Sequence, residues 1–268
     1  MAYTYPDKND RITEDLIRSV SKGDYWKKSE EYVLDLALKE IRELPAPRSM
    51  LDLGCGEGRL FQVFAPAVDS IIALEPDSGR CAGAYQSAAA LAGHSIMVLN
   101  TDSSILMDGQ TFDIILSSHV LQHIPPAMCE KMAADMAAHT RPGGLLVLTT
   151  THTDEAGDIL TEETMQDGQR QSRRVSPEEF LTLFNREGIL PVRLFAENSI
   201  LELFRSHRFE LLLRRRFHYD GAESAAYDQA ANEEIYGLSG QGPEGSLPAA
   251  KQYTANARDC IYIFRRSE

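Results

Sequence analysis

Met50-Leu51-Asp52-Leu53-Gly54-Cys55-Gly56-Glu57-Gly58 reads as a buried strand that runs into an acidic, glycine-rich turn and then a helix start. Met50, Leu51 and Leu53 supply the apolar run. The glycines stand at alternate positions. Without a Cβ, the backbone there can turn sharply and let a ligand lie against it. Their order separates possible ligands. A dinucleotide turn has the pattern G-x-G-x-x-G, with its third glycine where the helix packs on the strand. Counted from Gly54, that position holds Arg59, which makes a nicotinamide dinucleotide enzyme the weaker reading.

Working outward, Ser70-Ile71-Ile72-Ala73-Leu74 is a second apolar run of strand length, ending at Glu75 and followed by Pro76-Asp77. A carboxylate at the carboxyl end of a second strand can accept hydrogen bonds from both hydroxyls of a ribose. Ile96–Leu99 reads as a third strand, followed by Asn100-Thr101-Asp102-Ser103. Phe112–Ser118 reads as a fourth and runs into His119–Ile124, and Arg141-Pro142-Gly143-Gly144 is a turn ahead of a fifth, Leu145–Leu148. Helical stretches separate them: one starting at Gly58–Val63, one capped by Asp77 through Ala82–Ala92, and one from Pro125-Pro126 to Met136. Strands and helices that alternate in this way make a parallel sheet covered on both faces.

Asp52-x-Gly54-x-Gly56-x-Gly58 resembles motif I of the class I S-adenosylmethionine (SAM) dependent methyltransferases, and the segments after it follow that family's order across about residues 48–150. The resemblance implies a three-layer, Rossmann-like α/β fold: a seven-stranded, mostly parallel sheet whose last strand is antiparallel. It also implies a cofactor site. Asp52, Gly54, Cys55, Gly56 and Gly58 would floor the methionine part of SAM, and Glu75, with Pro76 beside it, would hold the ribose. Asp102 would meet the adenine amine and the Ser103 N–H its ring, with Ser117 and Ser118 facing the amino-acid end. Cys55 reads as a small residue tolerated in the loop rather than a reactive thiol. The implied reaction is methyl transfer to nitrogen or oxygen of a small molecule, leaving S-adenosylhomocysteine.

Methyl transfer from a sulfonium is an in-line displacement. The protein must hold the nucleophile near the methyl and manage one proton. Ligands of open parallel sheets sit beyond the carboxyl ends of the strands, where His119 and His123 emerge. In a helix, residues four apart share a face, and an imidazole with an ordinary pKa near about 6.5 can take a proton at neutral pH. Both histidines are candidate catalytic residues; His123 matches a histidine common in the family's L-x-H-apolar pattern, and His119 lies nearer to where acceptor and methionine part would meet. The alternative for each is loop-stabilising hydrogen bonding. No Asn-Pro-Pro-Tyr follows the fourth strand, which argues against the amino-methylating DNA and protein-glutamine types. His119, His123 and His152 lack a matching carboxylate pair, so no metal is expected.

The net charge is −13 over 268 residues, which opposes binding to a phosphate backbone, so no nucleic-acid partner is expected. No apolar run approaches the about 20 residues needed to span a bilayer, and no membrane partner is expected. Met1–Lys8 lacks the apolar core of a secretory signal. The cysteines Cys55, Cys81, Cys129 and Cys260 are far apart, as suits a reducing cytoplasm. Ile12, Leu16, Ile17 and Val20 predict one helix; after a break at Lys22–Trp26, Ser29 caps a second, ended by Leu44-Pro45-Ala46-Pro47. Tyr25 and Trp26 at the joint are candidate substrate contacts; the alternative is that they staple the helices to the core. Ser176-Pro177-Glu178-Glu179 is a capping-box helix start, and Ile189–Phe195 reads as the sixth strand.

The last strand, Cys260–Phe264, comes late. The division is therefore an N-terminal helical cap over 1–47, a core over 48–198, an insert over 199–257 and a last core strand in 258–268. The insert opens on a helical stripe of Ile200, Leu203, Phe204, His207 and Leu211 and carries Arg205, Arg208 and Arg214–Arg216. It reads as a substrate lid or a homodimer contact, with Gly237–Pro248 weakly low in complexity. A local basic cluster in an acidic chain can hold a substrate carboxylate or phosphate, which makes Arg208 a candidate substrate contact, as His152 also is; the alternative, and the favoured one for the arginines, is a solvated helix face. Two rival functions share the cofactor: a SAM-dependent transferase or cyclase that does not methylate, and a non-catalytic SAM-binding module.

Overall fold

The computed structural model describes residues 24–167, 169–219 and 257–268. The helix expected from Ile12 to Val20 and the Gly237–Pro248 segment lie outside them. In chain order the elements are α1 (Asp24–Arg42), β1 (Ser49–Leu53), α2 (Phe61–Phe64), β2 (Ser70–Leu74), α3 (Ser78–Ala89), β3 (Ile96–Leu99) and β4 (Phe112–Ser118). Then come α4 (Pro126–His139), β5 (Thr140–Thr153), β6 (Ile159–Gln166), β7 (Gln169–Arg174), α5 (Pro177–Leu181), β8 (Leu190–Ala196), α6 (Glu197–Arg205), β9 (Phe209–Tyr219) and β10 (Ala257–Arg266).

Strands β3-β2-β1-β4-β5 lie side by side and all parallel. β10 runs antiparallel to β5, from Asp259 opposite Thr151 to Arg265 opposite Leu145. β9 runs antiparallel to β10 and so points the same way as β5. These seven strands make the Rossmann-like sheet, and the one antiparallel among them is β10, the last in chain order. The sheet exceeds the expected seven. β5 outgrows its neighbours, and its end pairs His152 with Phe195 and Thr153 with Ala196 of β8. β8, β6 and β7 continue from there as an antiparallel extension.

Two strand readings are corrected by this arrangement. The segment read as the sixth core strand, Ile189–Phe195, is β8 and belongs to the extension. The core position beside β10 is filled by β9, which lies inside the stretch read as an insert over 199–257. The expected helical stripe ends early: α6 stops at Arg205, and Arg208 turns the chain at φ 61° into β9. Ser29 is also not a cap, because α1 runs unbroken through it. Ser176 does cap α5, accepting from the Glu179 N–H, but the Glu179 carboxylate pairs with Arg173 at 2.7 Å instead of closing the capping box.

Side chains alternate across each strand. Met50, Ile114, Val147 and Ile263 therefore meet Val33, Ala37 and Ile41 of α1 and Phe61 and Phe64 of α2 on one face. Leu51, Ile115, Leu146, Tyr262 and Phe264 meet Met136 of α4 and Ile200 and Phe204 of α6 on the other. Each large side chain so buried contributes about 1.5–3 kcal/mol. At the amino ends of the strands, Asp113 accepts from Ser49 N at 2.8 Å and Ser49 Oγ at 2.7 Å, and pairs with Arg141 at 2.7 Å. This closes the lower edge of the central strands and leaves the carboxyl ends of β1, β2 and β4 for a site.

Candidate functional site

The glycine turn is tied to the end of β2. The N–H groups of Gly54 and Cys55 both donate to the Leu74 carbonyl, at 2.9 and 3.1 Å. Gly54, Gly56 and Gly58 have φ of 76°, 58° and 76°, the left-handed region that costs other residues energy. Gly54 also needs the space: a Cβ there would come 2.5 Å from Val120 Cγ2, so the segment after β4 packs on the turn. At Gly56 a Cβ would meet nothing within 4 Å. The backbone there faces an open cradle.

Glu75 closes one side of this cradle. Its two carboxylate oxygens accept from Gly56 N and Asp77 N, each at 2.9 Å. Asn100 at the end of β3 donates to the Glu75 and Pro76 carbonyls at 2.8 and 3.1 Å, and Asp77 caps α3 through the Arg80 N–H at 2.7 Å. Above the turn, Arg59 reaches Glu30 of α1 with both guanidinium ends, at 2.6 and 2.7 Å. The residue that takes the place of a dinucleotide motif's third glycine thus fastens the N-terminal helix to the loop. Tyr25 and Trp26 fall in the first turn of that helix.

Two carboxylates lie buried at this end of the sheet. Burial, reinforced by the charge of Glu75 and offset in part by Arg59, pushes Asp52 up to about 7. Burial also raises Glu75, against the lowering pull of the N–H groups of Asp77 and Gly56. The Cys55 thiol is pushed far up by burial and by the same carboxylates, so it stays protonated. Asp52 has a consequence for stability. Its native pKa lies above the ordinary 3.8, so the folded chain binds this proton more tightly than the unfolded chain. That contribution is complete below about pH 4, is lost progressively up to about pH 7 and is flat beyond. In ligand-free protein, Asp52→Asn is expected to remove a loss of about 2–3 kcal/mol between pH 5 and 8. Urea unfolding of both proteins at the two pH values measures it, and equal losses would refute the assignment.

At the expected adenine end, Asp102 is exposed and accepts from Ser104 N at 2.9 Å, capping a 3-10 turn over Ser103–Ile105. The hydrogen bonds from Ser104 hold its carboxyl below the ordinary range. Ser103 Oγ donates to Asp135 of α4 at 2.5 Å. At the end of β4, Ser118 Oγ lies 2.8 Å from Thr149 Oγ1. The buried Ser117 Oγ has no hydrogen-bond partner among the described residues.

The histidines do not share a helical face, which corrects the sequence reading. His119 takes φ 56° as the chain leaves β4, and Leu121–His123 is a single 3-10 turn. His123 Nδ1 sits 3.2 Å from the Pro191 carbonyl and ties this turn to β8. His119 projects toward β9 and β10. Its Nδ1 is 3.0 Å from Gln122 Nε2 and 3.9 Å from Asp259 Oδ1, and its ring meets Phe217 edge-on with centroids 6.3 Å apart. About a quarter of its side chain, 26%, is exposed. The next residue, Val120, packs on Gly54, while the contacts of His119 itself lie across β5 on β10 and β9.

His152 is buried on the end of β5, with Nε2 3.2 Å from Asp154, and its Nδ1 has no partner among the described residues. Burial, then the Arg216 charge, push its pKa down and keep it neutral. It lines a cavity of about 150 Å³ with Asp154, Glu197, Asn198 and Arg216, in which Arg216 pairs with Asp154 at 2.6 Å. Arg208 is corrected as a substrate contact. It precedes β9, a strand parallel to β5, and so lies at the amino ends of the strands, away from the turn. Sequence reading missed Gln122, Phe217 and Asp259. Asp259 leaves one signal, an acid directly ahead of the apolar run Cys260–Phe264. Among the described residues no group of three or more His, Cys, Asp or Glu could hold a metal, and no helix is long and apolar enough to cross a membrane.

A parallel sheet of this strand order, with a glycine cradle after β1 and an acid after β2, defines a class I, Rossmann-like methyltransferase fold. The family model for a methyltransferase domain matches residues 25–216, and the chain belongs to this family, the class I SAM-dependent methyltransferases. An uncharacterized methyltransferase of Mycobacterium ulcerans (strain Agy99) is 35% identical over 119 residues, 44% of this chain and 45% of that protein. The chain thus spans less than half the length of the curated relatives it matches. Among solved structures, the [4+2]-cyclase SpnF aligns with TM-score 0.59 and 18% identity over 99% of this chain and 98% of its own. The 1,6-didemethyltoxoflavin-N1-methyltransferase of Burkholderia thailandensis, solved with 1,6-didemethyltoxoflavin and S-adenosylhomocysteine, aligns with TM-score 0.56 and 16% identity over 100% of this chain and 93% of its own.

Proposed function

We propose that this protein transfers the methyl group of SAM to nitrogen or oxygen of a small-molecule acceptor. The observation that carries the reading is the open cradle over Gly56 with the Glu75 carboxylate at its side. Those features suit the group: a left-handed glycine that no neighbour fills, and an acid able to accept further hydrogen bonds. Asp52, Gly54, Gly56 and Gly58 would floor the methionine part, Glu75 would hold the ribose, and Asp102 with Ser103 the adenine. Ser117 and Ser118 would face the amino-acid end. Bound there, SAM supplies an electrophilic methyl on a sulfonium.

His119 is then the residue to receive the proton that the acceptor sheds as its new bond to the methyl carbon forms. His123, held on a backbone carbonyl, supports the turn. The acidic chain disfavours nucleic acid as the acceptor. A cytoplasmic setting completes the reading, with the stretch 199–257 serving as either a substrate lid or a homodimer contact.

Incubation of the protein and methyl-labelled SAM with a cell extract tests it. Label in the small-molecule fraction is the expected result and identifies the acceptor by mass. Label only in protein or RNA, or SAM bound with no methyl moved, would overturn it in favour of a macromolecular acceptor or of the cyclase and binding-module alternatives. With the acceptor in hand, His119→Ala is expected to lower turnover about a hundredfold while SAM affinity by calorimetry stays within about threefold. Unchanged turnover would remove His119 from the reaction.

A further inference from the structure

His119 is useful as a base only if the lone pair of its neutral ring faces the acceptor. Three side chains decide which nitrogen carries the proton. The Gln122 carboxamide spans from Thr150 Oγ1, at 3.1 Å, to His119 Nδ1, at 3.0 Å. Rotating that amide by half a turn exchanges its donor and acceptor ends and leaves the shape of the contact unaltered. As the side chain is placed, Thr150 donates to the amide oxygen and the amide N–H₂ faces Nδ1, which would leave the lone pair on Nδ1 and the proton on Nε2. In the other orientation, the amide N–H₂ donates to Thr150 Oγ1 and its oxygen accepts from Nδ1–H, which leaves the lone pair on Nε2.

Asp259 breaks the tie. Its Oδ1 stands 3.9 Å from the same Nδ1, and its side chain is only 7% exposed, so solvent screens the pair poorly. A carboxylate there repels a lone pair on Nδ1 and attracts an N–H. Its position is fixed by the sheet, because Asp259 is paired with Thr151 on one side and Phe217 on the other. Phe217 in turn packs edge-on against the His119 ring.

We propose that the Gln122 amide sits turned over from that placement, its oxygen on Nδ1–H, and that Asp259 and Gln122 are thereby positioning residues that keep the His119 proton on Nδ1 and leave Nε2 as the base. This rests on the reading of His119 above. During transfer the acceptor's proton goes to Nε2, Nδ1 keeps its own, and Asp259 faces the resulting imidazolium. Neither positioning residue need touch the acceptor.

The test is the tautomer itself, read from long-range proton–nitrogen spectra of the full chain labelled with ¹⁵N-histidine, with His119 assigned through His119→Gln. The spectra are taken at a pH where the ring is neutral. The wild-type protein is expected to show Nδ1–H in at least about fivefold excess. Asp259→Asn is expected to cut that excess at least fivefold. Should Asp259→Asn not fold, Gln122→Glu decides: a carboxylate can only accept, so the tautomer stays as in the wild type if the proposal holds. A switch from Nε2–H to Nδ1–H in Gln122→Glu, a wild-type ring that is mostly Nε2–H, or an excess unmoved by Asp259→Asn would each overturn it. A SAM titration of the same samples separates the two readings: absent binding defeats the methyltransferase proposal and leaves the tautomer result standing.

Discussion

Glu75→Ala is expected to weaken SAM binding on the order of a thousandfold. The chain itself supplies two donors to this carboxylate. One oxygen accepts from Gly56 N and the other from Asp77 N, both at 2.9 Å. A carboxylate offers roughly four lone-pair directions, which leaves two for the hydroxyls of a ribose. Hydrogen bonds to a charged acceptor are worth about 1.5–3 kcal/mol each, so losing two costs about 3–6 kcal/mol, and a thousandfold is about 4 kcal/mol. The same substitution removes the acceptor that holds the Gly56 N–H, so the turn loosens where the ligand would lie. Glu75→Gln separates the two effects. It keeps one acceptor but points an N–H₂ group at a backbone N–H, and its loss should be about tenfold to a hundredfold. Calorimetric titration with SAM, alongside circular dichroism melts to verify folding, reads both. An affinity for Glu75→Ala within threefold of the wild type would dismiss the ribose assignment.

The parts of the molecule legible in the sequence are those where burial on both faces forces a simple pattern. β1, β2 and β4 are short apolar runs that end in Gly54, Glu75 and the His119 segment. A parallel strand covered by helices tolerates little else. The turn was legible for a different reason: three left-handed positions leave glycine as the ready choice. β9 was not legible. Its Phe209-Glu210-Leu211-Leu212-Leu213-Arg214-Arg215-Arg216 run comes in blocks and shows no clean alternation, and Leu211 and Leu212 are both substantially exposed. It also extends the spacing of α6, whose Ile200, Leu203 and Phe204 continue to His207 and Leu211 as one helical stripe. The break falls at Arg208, which takes φ 61° without a glycine to announce it. His119 hides its own turn in the same way. Its contact with Asp259 joins the end of β4 to a strand near the far end of the chain, across β5, and no local spacing encodes it. The residues around the turn were therefore placed by sequence where local backbone geometry dictates residue type, and not where strand order alone brings residues together.

Gly54→Ala and Gly56→Ala are expected to fail differently, although they lie two residues apart and share the same backbone region. Each forces an alanine to a positive φ, 76° or 58°, at about 1–2 kcal/mol. At Gly54 the new methyl would come 2.5 Å from Val120 Cγ2. Val120 has little room to withdraw, because Leu121 behind it is fully buried and His123 is held on the Pro191 carbonyl. Overpacking of this kind adds about 1–3 kcal/mol. The total of about 2–5 kcal/mol should lower the melting temperature by roughly 4–20 °C and displace the His119 segment with it. At Gly56 nothing stands within 4 Å of the new methyl, so only the backbone cost remains and the melting temperature should fall by about 2–8 °C. The methyl then projects into the cradle. If SAM lies there, its affinity should drop at least about tenfold in a chain that is otherwise folded. Differential scanning calorimetry and SAM titration on the two variants distinguish a packing glycine from a ligand-facing one. A Gly56→Ala protein that binds SAM as tightly as the wild type would show that the cofactor does not rest on this turn.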